Sequence, residues 1–208
     1  ILGFCEKYFD CKIYKTVWGA MALTIISVLL LFVLPREIAY ENGFLENLQV
    51  AELLVGAAFS VFLAAKAIEK EERSLWQAAF ISFLLIAARE LSWGRVFYPT
   101  AALNKFLPLK DLWYGPVVYP LVTLAAVAII CLFWRGRFFL FGARRKLPLW
   151  NCVLFVSLFL AADYAEHRPL SFFGQSYDGG ILEELFECIC YLMMIDIVRI
   201  MGGKGVKY

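Results

Sequence analysis

The chain has 208 residues, of which 62% are hydrophobic and 18% charged, and its mean hydropathy is +0.71. A soluble domain carries about 25% charged residues, so this balance excludes an ordinary soluble fold and points to an integral membrane protein. The formal net charge of +2 excludes a nucleic-acid partner, which would require a strongly basic face.

Crossing about 30 Å of hydrocarbon takes about 20 mostly apolar residues. Six runs qualify: 17–34, 48–67, 75–93, 113–134, 149–166 and 181–201. The expected fold is therefore all-α: a polytopic membrane protein of six transmembrane helices, forming a single bundle over residues 1–208 with no separate soluble domain. The chain begins with Ile rather than Met, so its natural N-terminus is expected upstream. Lys7, Lys12 and Lys15 precede the first run as they would in a signal peptide. The exit, Leu34-Pro35-Arg36-Glu37, lacks a small-x-small cleavage site, which favours an uncleaved helix.

The second run follows Glu41 and Glu46 and carries Glu52, Gly56, Ser60 and Ala64 at four-residue spacing. Small residues at that spacing mark a helix-packing face, so Glu52 is expected to look into the bundle. In the third run Ala79, Phe83, Ala87 and Glu90 share a stripe. The loop from Gly94 to Asp111 contains Tyr98, Pro99 and Pro108 and leads to Trp113 and Tyr114, a composition suited to the headgroup level. The fifth run ends in Asp163-Tyr164-Ala165-Glu166-His167. The sixth follows the turn signal Asp178-Gly179-Gly180 and opens with Glu183, Glu184 and Glu187. Cys188 and Cys190 diverge at i+2 on a helix and read as packing residues, and the six cysteines show neither CxxC spacing nor a disulfide framework. Asp196 and Arg199, at i+3, read as a local ion pair.

Orientation follows from the basic residues of the connections. Fourteen of the 20 Lys and Arg lie at the N-terminus, in the second and fourth loops and in the tail, which predicts a cytoplasmic (inner) membrane protein with both termini inside. Twelve of the 18 acids fall on the other side. Glu46, Glu183 and Glu184 sit where a helix N-terminus, carrying about half a positive charge, favours them. Glu90, Asp163 and Glu166 instead end helices, where the dipole disfavours an acid. They need a compensator, and Arg89, Arg95, His167 and Arg168 are nearby in sequence.

An intramembrane acid is by default a site residue. The leading expectation is a pocket, facing away from the cytoplasm, that binds and helps translocate a cation or cationic solute. Glu52, Glu90, Trp93, Trp113 and Glu187 would bind an organic cation through carboxylates and aromatic faces. Asp163, Glu166, His167, Glu184 and Glu187 would bind a divalent metal (Mn, Zn, Fe or Ca). A single His excludes a His-rich zinc centre. One alternative is a metal-dependent membrane hydrolase with Glu90 or Glu184 as general base, or with Ser92 as nucleophile and His167 as its base. The other is a structural subunit whose acids and arginines hold further membrane subunits. The lipid bilayer is a partner in every case.

Glu90-Leu91-Ser92-Trp93-Gly94-Arg95, with Glu41-Asn42-Gly43-Phe44-Leu45-Glu46 upstream, resembles a pattern in poorly characterised bacterial multi-span membrane proteins. These carry acid-(Leu/Ile)-Ser-Trp-Gly-(Gln/Arg) at the end of a helix. The resemblance covers about a third of the chain and implies no activity. Size, span number and inward termini are also similar to the substrate-binding subunits of energy-coupling-factor transporters, an architectural likeness only.

Overall fold

The computed structural model describes residues 7–40, 42–100, 105–167, 170–172, 175–177 and 179–203. It is all-α, about 81% helical. The helices are α1 (Lys15–Leu30), α2 (Phe44–Lys66), α3 (Lys70–Glu90), α4 (Gly115–Arg135), the short α5 (Phe138–Arg145), α6 (Leu149–Glu166) and α7 (Gly179–Gly203). Two small strand pairs accompany them. β1 (Phe9–Asp10) runs parallel to β2 (Leu147–Pro148), and β3 (Leu170–Phe172) pairs antiparallel with β4 (Gln175–Tyr177). Each predicted apolar run falls on a helix. Among the described residues, α2, α4 and α6 are long and apolar enough to cross a membrane. α1 is apolar but has only 16 residues.

The chain divides into two compact units, Ile1–Glu52 with Gly142–Tyr208, and Leu53–Phe141. In the first, α7 is the hub: α6 packs along it and so does α1. Leu182, Phe186, Ile189, Cys190 and Met193 are buried at the three- and four-residue spacing of one helix face. α6 meets it with Asn151, Leu158, Ala162 and Ala165. The two alanines allow close approach, which matters because packing rather than escape from water drives association in lipid. α1 stops before Leu34-Pro35, as expected of a residue pair that disfavours helix. α2 starts from Asn42, whose left-handed φ of 61° turns the chain. Glu46 accepts the Asn42 backbone N–H, and Asn47 Nδ2 donates to Gly43 O at 2.7 Å. Glu46 is thus an ordinary N-terminal acid, as its position predicted.

α7 begins at Gly179, so Glu183 and Glu184 stand in its second turn rather than its first, and no acid occupies the first turn. The dipole account of these two acids therefore weakens, because the field of a helix end fades within one turn.

In the second unit, Gly56 of α2 lies against Phe83 of α3 so closely that an added Cβ would meet the ring at 2.5 Å. Phe83 is itself 1% exposed. Ser60, buried one turn on, donates to Gly56 O at 2.8 Å. The small-residue face read from the sequence is therefore a packing face. α3 carries Glu71 and Glu72 in its first turn and Arg89 in its last, matching the helix dipole at both ends. α4 packs on α3, yet none of its most apolar stretch is buried.

Candidate functional site

The predicted site residues fall into three groups. The first lies in the first unit, between the start of α2 and α7. Gln49 is completely buried. Its Nε2 donates to the backbone carbonyl of Glu184 at 3.0 Å and to Glu184 Oε2 at 2.7 Å. Cys188 lies within hydrogen-bond reach of the Gln49 side chain and in electrostatic range of Glu52, Glu184 and Glu187. Glu187 is buried at 6% exposure and Glu52 is half-buried. Helical spacing explains the gathering: Gln49 and Glu52 are three apart on α2, and Glu184 and Glu187 three apart on α7.

The two bonds to Glu184 pin the Gln49 amide and fix the direction of its other end. Gln49 Oε1 and Glu52 Oε2 are both buried and accept no hydrogen bond among the described residues. A buried acceptor left this way costs about 1–3 kcal/mol. Acceptors are thus gathered where donors are scarce, and such a cluster is chemically suited to a positively charged donor. Gln49 was not among the residues singled out from the sequence. The available signal was its place on the Glu52 face of an otherwise apolar run.

The second group is Asp163, Glu166 and His167 at the end of α6. Their ligand atoms lie within 4.8 Å of one another and all three side chains are exposed. His167 Nδ1 is 2.9 Å from Asp163 O, 3.6 Å from Glu166 Oε2 and 3.9 Å from Asp163 Oδ1. The backbone bond to Asp163 and then the two carboxylates raise the imidazole pKa above its ordinary value. When protonated, His167 is a positive partner for these two helix-ending acids. Arg168, another of the candidates, lies outside the described residues, as does Asp178. Glu184 and Glu187 do not join this metal-type group among the described residues; Glu184 bonds Gln49, and Glu187 follows it three residues on along α7.

The third group belongs to the second unit. Glu90 is buried at 7% exposure, and its Oε1 lies 3.9 Å from Arg89 Nη1. After it, Ser92, Trp93 and Gly94 take left-handed φ values of 46°, 58° and 84°. For the two non-glycine residues that conformation costs of order 1–3 kcal/mol each. The turn sets Trp93 half-buried, while Arg95 Nε donates to Leu107 O at 3.1 Å. Tyr114 lies 6.1 Å from Tyr98 and 5.5 Å from Trp113, ring to ring, and Trp113 is 84% exposed. Of the proposed hydrolase residues, Ser92 and Glu90 thus lie in the second unit, and His167 and Glu184 in the first.

Cys188 and Cys190 behave as packing residues. Cys188 and Cys190 are buried and free, and Cys190 Sγ approaches Phe155 O at 3.6 Å. No protein-family model matches the chain, no curated protein matches its sequence, and no solved structure matches its fold.

Proposed function

We propose that the chain is a six-span protein of the cytoplasmic membrane, with both termini inside, that binds a cationic solute at the Gln49–Glu52–Glu184–Glu187 cluster and helps carry it across the bilayer. The span count rests on the apolar runs, and the orientation on the uneven distribution of Lys and Arg. The observation that carries the site is the pair of buried, partnerless acceptors, Gln49 Oε1 and Glu52 Oε2, beside the carboxylates of α7. An ammonium group presents N–H donors to such acceptors and neutralises the acids. Because Glu52, Glu184 and Glu187 do not close into a metal-type group, an organic cation fits this cluster better than a chelated metal.

The test is a thermal-denaturation screen of detergent-purified protein with primary, quaternary and polyamine cations and their neutral analogues. A cationic solute is expected to raise Tm in the wild type and to lose that effect in Glu52→Gln. If no cation shifts the wild type more than the variant, the proposal fails.

A second reading is favoured by the compact Asp163–Glu166–His167 group, whose carboxylates and imidazole suit Mn, Zn, Fe or Ca. Elemental analysis decides it: stoichiometric metal lost in His167→Ala supports this reading, and metal-free wild-type protein sinks it.

A further inference from the structure

α7 meets a buried acid toward each of its ends, and the chain treats the two differently. Toward the C-terminal end, Asp196 is buried at 6% exposure and Asn151 completely. Asp196 Oδ2 accepts from Thr16 Oγ1 at 2.5 Å and Asn151 Nδ2 at 2.8 Å, and Oδ1 accepts from Arg199 Nε at 2.8 Å. Arg199 Nη2 closes on the same Oδ1 at 2.7 Å. The Asp196–Arg199 pair expected from spacing exists, but it is one edge of a network that α1 and α6 complete. Asn151 Oδ1 lacks a donor among the described residues, yet the carboxylate beside it already has its cation. Here the protein provides both the charge and the donors that a buried acid needs.

Toward the N-terminal end the donors run out. Glu52 Oε2 and Gln49 Oε1 are buried and accept no hydrogen bond among the described residues. Gln49 cannot relieve this by turning its amide over. Its Nε2 donates to Glu184 O at 3.0 Å and to Glu184 Oε2 at 2.7 Å, so both amide hydrogens are engaged. A reversed amide would set Oε1 against those two acceptors. The direction of Oε1 is therefore fixed by chemistry, in a side chain with no exposure at all. Gln49 and Glu52 are three residues apart, which makes them neighbours on one helix face.

We infer that the site selects a primary ammonium head over a quaternary one, with Gln49 as the specificity-determining residue. This rests on the cation-binding reading above and names the class of cation. The carboxylates attract any positive charge, whereas the Gln49 oxygen is neutral and discriminates through hydrogen bonding. A primary ammonium presents three N–H donors, enough for Gln49 Oε1 and Glu52 Oε2 together. A quaternary head presents none and leaves both buried acceptors unmade. Quaternary heads are held instead by aromatic faces. Trp93 and Trp113, the rings expected to line such a pocket, belong to the second unit.

The experiment is a thermal-denaturation titration of the detergent-purified full chain with tert-butylammonium, tetramethylammonium and tert-butanol. The two cations share charge and shape and differ in their N–H donors; the alcohol keeps the shape without the charge. In wild type, tert-butylammonium is expected to bind at least about tenfold tighter than tetramethylammonium, with no Tm gain from tert-butanol. Gln49→Met keeps the side-chain length and removes the acceptor, so this preference should shrink severalfold. Equal or tighter binding of tetramethylammonium to wild type overturns the inference and leaves the cation site standing. If neither cation acts beyond tert-butanol, the cation site and the inference fall together. An unchanged preference in folded Gln49→Met overturns the role of Gln49. Where that variant does not fold, the wild-type ratio of the two matched cations decides alone.

Discussion

Glu52 illustrates how a residue's neighbours on a helix carry more information than its identity. Its four-residue register with Gly56 and Ser60 placed it on a packing face, and Ser60 is completely buried there. Gln49, Thr16 and Asn151 escaped notice because a single polar side chain in an apolar run has no periodicity of its own. Their roles are written by partners far away in the chain: Gln49 by Glu184, Asn151 and Thr16 by Asp196. Two predictions belong at this scale. Glu52→Gln replaces a carboxylate whose Oε2 accepts no hydrogen bond among the described residues by a neutral amide, so the ligand-free variant should melt at a higher temperature than wild type while losing any cation-dependent gain. Gln49→Ala should melt lower, by about 1–3 kcal/mol of stability, because it removes a donor from a part-buried carboxylate. His167, the chain's sole histidine, gives an unambiguous NMR titration. Its midpoint should lie above 6.5 and fall toward it in Glu166→Gln. A pKa raised by folding contributes stability below the unfolded value and loses it as pH rises through the folded one. Any histidine-dependent stability should therefore fade on the alkaline side of 6.5.

Helices were the legible elements, since apolar length and proline placement announce them directly. α6 begins and ends where the run 149–166 does, and α1 ends short of Pro35. What the pattern misjudged was a boundary: Gly179 enters α7 as helix, moving Glu183 and Glu184 one turn inward. Glycine pairs signal turns by their freedom, and that freedom also lets them join a helix end. The left-handed run at Ser92 and Trp93 was equally invisible, because neither residue type asks for that conformation. Element packing supplies a further test. In Gly56→Val the new side chain would meet the Phe83 ring, which is 1% exposed and has no room to retreat. The expected loss is about 1–3 kcal/mol, offset in part by the better helix propensity of Val, and measured as a lowered Tm.

For the whole molecule, the membrane class was legible from composition alone, and the site only as a set of acids. Which acids gather depends on tertiary placement: Glu184 sits with Gln49, whereas Asp163 and Glu166 sit with His167. The proposed topology is testable in intact cells. A membrane-impermeant maleimide should label an Asp111→Cys variant from outside and leave Cys11 untouched until the membrane is opened; the reverse pattern would invert the orientation. One further consequence follows from the uneven burial of the helices. α7 hides side chains along most of its length, while the apolar stretch of α4 hides none. A saturation-mutagenesis map should accordingly show two grammars of tolerance. Along α7, altered bulk should be punished even when polarity is kept. Along α4, Val, Leu, Ile and Phe should interchange almost freely, and only charge should be forbidden.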